Sequence, residues 1–213
     1  MLIHGYNNEE DDVVRAYAII DKHINTYVSN HYDIVIGYTW PGGDDPLDYF
    51  SAKRRSGAVS RRVSWWLSDI NSSAKCLDVM THSMGSRVAF LSIQNPKEKI
   101  RNLFTMAAAI DNESIQINEP FYSSTQLCGK VYVFHSKNDP VLATAYQVSE
   151  WDSALGLTGP EDTADIINNS KNVKVINSKN LIRVHGGYKT CVPIYLHINN
   201  ALNGSLTHQF VTL

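Results

Sequence analysis

The chain has no run of 18 apolar residues and no basic start followed by an apolar stretch, so the sequence displays neither a membrane-spanning helix nor a signal peptide. A cytoplasmic location is the default expectation. Neither charge is in excess: 19 Lys and Arg stand against 21 Asp and Glu, a formal net charge of −2, which offers no sequence-wide attraction to nucleic acid or an anionic membrane. Cysteine is scarce. Cys76, Cys128 and Cys191 are odd in number, show no C-x-x-C spacing and sit beside apolar residues, a pattern that predicts buried thiols rather than a disulfide framework. Repeats and composition breaks are lacking too. What remains is 213 residues, 43% hydrophobic and 19% charged, enough for one sizeable core, and a single domain over 1–213 is expected.

Apolar runs suited to strands recur at about 1–7, 32–40, 75–80, 101–109, 130–135 and 172–177. Helical spacing fills most of the gaps. One helix is predicted over 9–29, with Glu9, Glu10, Asp11 and Asp12 at its positive end. A second is expected to start at Asp44, Asp45 and Pro46 and run to about Ile70, with Val59, Val63, Trp66 and Ile70 as its buried stripe and Arg54, Arg55, Arg61 and Arg62 on a solvated flank. A third runs from Ser86 until Asn95 and Pro96 stop it, a short one covers 141–146, and a last one covers 193–203. Segments at 112–128 and 147–171 have no clear period and are expected to be irregular, lid-like excursions. Alternating strands and helices predict an α/β fold of six mostly parallel strands with helices on both faces.

Within that order one stretch stands out. The apolar run ending in Thr81 and His82 meets Ser83, Met84 and Gly85, and a helix-capable segment follows, the layout of a nucleophile elbow. Thr81 occupies the place where the G-x-S-x-G pattern has its first glycine. Active sites of parallel sheets lie beyond the carboxyl ends of the strands, where this reading puts Tyr6, Trp40, Ser83, Asp111 and Asp139. Acyl transfer by a serine needs a base, an acid to orient the base and donors for the oxyanion. Among the histidines, His185 lies on a loop after the last strand and is the best placed base. His4 and His135 belong to strands, His197 to a helix, and His82, next to Ser83 in a tight elbow, is expected to point elsewhere. Asp139, in the turn before Pro140, is preferred as the acid, with Asp111 as its rival; the structural alternative for either is a turn aspartate capping its own backbone. The backbone N–H groups of Tyr6 and Met84 are the candidate oxyanion donors, and Trp40, His82, Asp111 and Tyr188 are candidates to line the pocket.

The motifs His4-Gly5-Tyr6-Asn7, Trp40-Pro41-Gly42, His82-Ser83-Met84-Gly85, Asn138-Asp139-Pro140 and His185-Gly186-Gly187-Tyr188 occur in the order Ser, Asp, His, and over nearly the whole chain the sequence resembles a compact α/β-hydrolase, an esterase/lipase-like branch in particular. The resemblance implies a serine hydrolase acting on a small-molecule or lipid acyl ester, with no cofactor and no metal. Amide, thioester or long-chain lipid ester substrates would use the same triad, and a catalytically silent scaffold would keep only the fold. The family's first two strands are absent, which leaves the 32–40 strand at an open edge where another protomer or an upstream segment could sit. The chain begins only three residues before His4 and Gly5, so a minimal domain or one preceded by further residues is expected.

Overall fold

Leu103, Phe104, Val131, Val133 and Phe134 are apolar at neighbouring positions and essentially sealed from solvent, the mark of strands covered on both faces. They belong to the centre of one sheet. In chain order the elements are β1 (Leu2–Ile3), α1 (Glu10–Tyr27), β2 (Gly37–Tyr38), α2 (Tyr49–Ser73), β3 (Asp78–His82), α3 (Gly85–Ser92), β4 (Ile100–Met106), α4 (Tyr122–Gln126) and β5 (Cys128–His135). There follow a π-helical turn (Leu142–Tyr146), α5 (Gln147–Glu150), α6 (Leu155–Thr158), α7 (Thr163–Asn169), β6 (Val173–Asn177), a 3-10 segment (His185–Thr190), α8 (Val192–Leu202) and β7 (Phe210–Thr212). The computed structural model describes residues 1–6, 8–28, 30–43, 49–94, 100–206 and 208–213. The expected helix start at Asp44, Asp45 and Pro46 and the stop at Asn95 and Pro96 lie outside those residues.

The strands align in the order β2-β1-β3-β4-β5-β6-β7, and every neighbouring pair is parallel. α2 packs with α3 and α1 with α8, giving the sheet its helical layers. At the amino end of β3, buried Asp78 accepts from Arg101 Nε at 2.8 Å and Arg101 Nη2 at 2.6 Å, and from Tyr32 at 2.7 Å. That cluster anchors the end of the sheet opposite the elbow.

Four expectations need correction. The 32–40 strand shrinks to β2, because β1, its one neighbour among the described residues, offers two residues and Ile34 is 72% exposed; Gly37 is pressed against Tyr17, where a Cβ would collide with the ring. Among the described residues there are seven strands, not six, since the short segment after α8 pairs in parallel with β6. The buried stripe of α2 continues from Val59 and Val63 to Leu67, leaving Trp66 45% exposed, because buried Ser56 and Ser60 let α3 approach closely: Ser92 donates its hydroxyl to the Ser60 carbonyl at 3.0 Å. All three cysteines are free, but only Cys128 is buried; Cys76 is exposed and Cys191 half-buried.

Candidate active site

β3 ends at His82, and Ser83 then adopts a φ of 54°, a left-handed conformation that a residue with a Cβ holds only when its surroundings demand it. The demand is visible. The Ser83 N–H donates to the Met106 carbonyl at 3.0 Å, and the Ser83 carbonyl accepts from Ser86 at 3.0 Å and from Ala109 at 3.2 Å. A Cβ on Gly85 would lie 2.5 Å from the Ile3 carbonyl oxygen and collide with that of His4, so the small residue after the elbow is needed for α3 to approach β1. Gly5 is equally constrained, since a Cβ there would lie 2.8 Å from the Cβ of Ser83. Thr81, the departure from the glycine pattern, is buried with its hydroxyl 2.8 Å from that of Ser86, so it ties the strand before the elbow to the helix after it.

The His4-Gly5 turn is braced from behind. His4 Nδ1–H donates to the Gly5 carbonyl at 2.7 Å, and Nε2 accepts from the Trp40 N–H at 3.0 Å; these partners assign the tautomer. Burial pushes the His4 pKa below the usual value, which keeps the ring neutral. Trp40 stacks on that ring and donates from its indole to the His4 carbonyl at 2.9 Å. Trp40 is therefore a buttress of the turn, outside the cavity onto which Ser83 opens. Tyr17 of α1 accepts from the His4 N–H at 2.8 Å and donates to the Tyr38 carbonyl at 2.6 Å. Tyr6, at the end of the turn, packs edge-on against Tyr49.

On the far side, fully buried Asp139 divides its carboxylate. Oδ1 accepts from the backbone N–H groups of Val141 and Leu142 at 3.1 and 3.2 Å, while Oδ2 lies 2.7 Å from His185 Nδ1. With Nδ1–H donated to the acid, His185 Nε2 is left to act as a base. Asp111 is elsewhere: it accepts from the Tyr146 hydroxyl at 2.5 Å and bridges Ala154 through its backbone. The carboxylate beside His185 is thus Asp139. His135 is buried beside Gly159, and His197 packs edge-on to Phe134.

His82 departs from expectation. Its ring does not turn away from the site but lies 4.6 Å from that of His185, and its Nε2–H donates to the His185 backbone carbonyl at 2.8 Å. Burial, reinforced by the neighbouring His185, lowers its pKa to about 3, so it stays neutral. The bond was not legible in the sequence, because adjacency to Ser83 says nothing about which wall the ring faces.

Ser83 and His185 open onto one cavity of about 590 Å³, with Tyr6, His82 and Tyr188 in its lining. Trp40 and Asp111 are not in that lining. The excursions at 112–128 and 147–171 do not roof it among the described residues either: Phe121 of the first stacks on Phe90 of α3, and Gly156 of the second is pressed against Ala107 and Ala108 at the end of β4. The walls come instead from α1 and from 140–145, where the sequence predicts a helix over 9–29 and a turn leading into a short helix over 141–146, with no part in the site. Tyr188 is fully buried, burial holds its phenol protonated, and its hydroxyl has no hydrogen-bond partner among the described residues. No group of three potential metal-ligating side chains gathers among the described residues, and no helix there is long and apolar enough to cross a membrane.

A parallel sheet with a sharp strand–serine–helix turn at its carboxyl edge defines an α/β hydrolase. The family described as alpha/beta hydrolase of unknown function (DUF900) matches residues 1–199, and the chain belongs to it. No curated protein matches the chain.

Proposed function

We propose that the protein is a serine hydrolase that cleaves a carboxylic ester through a covalent acyl-enzyme. The observation that carries this reading is the Asp139–His185 contact of 2.7 Å on the same cavity as Ser83. In the first half-reaction His185 Nε2 takes the Ser83 hydroxyl proton as Oγ attacks the ester carbonyl, and Asp139 steadies the imidazolium. Collapse of the tetrahedral intermediate expels the alcohol, which takes the proton back from His185. A water, deprotonated by the same nitrogen, then releases the acid and frees Ser83. The N–H groups of Tyr6 and Met84 are the proposed oxyanion donors, Met84 because it precedes the first turn of α3, where backbone donors and the helix dipole favour negative charge.

A fluorophosphonate probe tests the assignment. The wild-type protein should label at Ser83, and Ser83→Ala should lose both labelling and ester turnover, the latter by roughly a million-fold. Labelling that persists in Ser83→Ala would overturn it.

A further inference from the structure

The cavity has a polar end and an apolar end. Ser83, His185, Tyr6 and Lys189 line it together with Val13, Ala16 and Ile20 of α1 and Leu2 and Met80 of the sheet. Tyr17 also faces inward, but its hydroxyl is held by the His4 N–H and the Tyr38 carbonyl. A polar substrate group placed among these apolar side chains would lose water without gaining a partner, whereas an alkyl chain loses nothing.

The two walls have matching lengths. α1 follows β1 and runs back along the sheet, so of its lining residues Val13 lies nearest the Ser83 end and Ile20 farthest from it, a span of about 10 Å at 1.5 Å per residue. Along β3, Ser83 and Met80 are also about 10 Å apart at the rise of a parallel strand. Leu2 pairs in register with Met80, so the sheet wall is continuous at that depth. An extended alkyl chain advances about 1.25 Å per carbon, from bonds of about 1.5 Å at near-tetrahedral angles, so about 10 Å holds roughly eight carbons.

The geometry points to an unbranched medium-chain acyl ester, of roughly eight acyl carbons, as the substrate class, with Ala16 and Ile20 of α1 setting the chain length. This rests on the serine hydrolase reading of Ser83. A chain that fills the space gains on the order of 0.8 kcal/mol per methylene, a factor of roughly four, so kcat/KM should rise on the order of a hundredfold from butanoate to octanoate.

The test is a series of p-nitrophenyl esters from acetate to hexadecanoate. Wild type should peak near octanoate. Ala16→Phe, which blocks the channel midway, should move the optimum to butanoate or shorter and lower the octanoate-to-acetate ratio at least on the order of fiftyfold. Ile20→Ala, which lengthens the channel at the end away from Ser83, should move the optimum beyond decanoate and guards against an Ala16→Phe protein that does not fold. A wild-type profile that falls from acetate onward, or an optimum that neither variant moves, overturns the proposal. Failure of the hydrolase reading looks different: no ester turns over and Ser83 takes no fluorophosphonate. Binding of octanoate, followed by NMR in wild type and Ala16→Phe, then decides the cavity by itself: loss of binding in the variant supports the channel, and binding that is absent from wild type or unchanged in the variant overturns it.

Discussion

His82 Nε2–H donates to the backbone carbonyl of His185 at 2.8 Å, so the strand that leads into Ser83 grips the loop that carries the proposed base. The side chain of His185 is left to Asp139, and the two contacts fix backbone and ring independently. In the proposed mechanism His82 is thus a positioning residue: it holds the main chain of His185 without reaching the reacting atoms.

Replacing His82 with Phe should leave the His185 carbonyl without its donor and cut kcat by about a hundredfold, the cost of a reacting group displaced by about 1 Å. His82→Gln, which carries a side-chain N–H₂, should recover much of the loss. Steady-state kinetics on both variants, with far-UV circular dichroism to confirm folding, checks this; equal loss in the two would assign His82 to packing alone.

Stability should fall in mild acid. Burial lowers the pKa of His4, His82, His135 and His197, that of His82 from 6.5 to about 3. In the window between those two values the unfolded chain binds a proton at position 82 that the folded chain refuses, so the stability from neutral His82 is complete above pH 6.5 and is lost as pH drops toward 3. Each such histidine adds up to about 1.4 kcal/mol per pH unit to the slope. Urea unfolding at pH 7, 6 and 5 should show the decline, and His82→Gln should make it shallower.

Asp139 holds two jobs on two oxygens, and two substitutions separate them. Asp139→Asn keeps an acceptor for the Val141 and Leu142 N–H groups, so it should retain most of the stability while turnover drops about ten-thousandfold through loss of the imidazole's orienting carboxylate. Asp139→Ala should lose activity to the same degree and a further 1–2 kcal/mol or so of stability with the cap. Thermal melts beside esterase assays read both axes.

The buried Tyr188 hydroxyl is unpaired among the described residues. Tyr188→Phe removes a desolvated polar atom and should leave stability unchanged or raise it by about 1 kcal/mol. Chemical denaturation is the measurement, and destabilisation above about 1 kcal/mol would show that the hydroxyl has a partner in solution.

The elbow was legible in the sequence because its chemistry is local. A buried strand, a serine, a small residue and a helix start must be adjacent in the chain for the turn at Ser83 to form, and Gly85 marks a place where a Cβ would meet the β1 backbone. The alternation of apolar runs and helical spacings likewise fixed the α/β class, since each period declares which face must be buried. Edge pairing is different. β2 and β7 are two and three residues long, too short to carry a pattern of their own, and their limits depend on what lies beside them.

Asp139 and Asp111 both sit in turns after strands, and both read equally well as aspartates bonded near their own backbone. Tertiary structure separates them, setting one carboxylate 2.7 Å from His185 and the other against Tyr146. The α1 face of Val13, Ala16 and Ile20 makes the same point about the cavity. An apolar stripe encodes withdrawal from water, and that requirement is met equally by a packed neighbour or by a channel that an alkyl chain can fill. The sequence determined that Ser83 stands at a sharp turn on the carboxyl edge of a parallel sheet and favoured Asp139 over Asp111; only the folded chain decided which carboxylate meets His185, which histidine contacts form and which empty volume lies beside Ser83, because those are set by contacts between segments up to about a hundred residues apart, which local pattern does not encode.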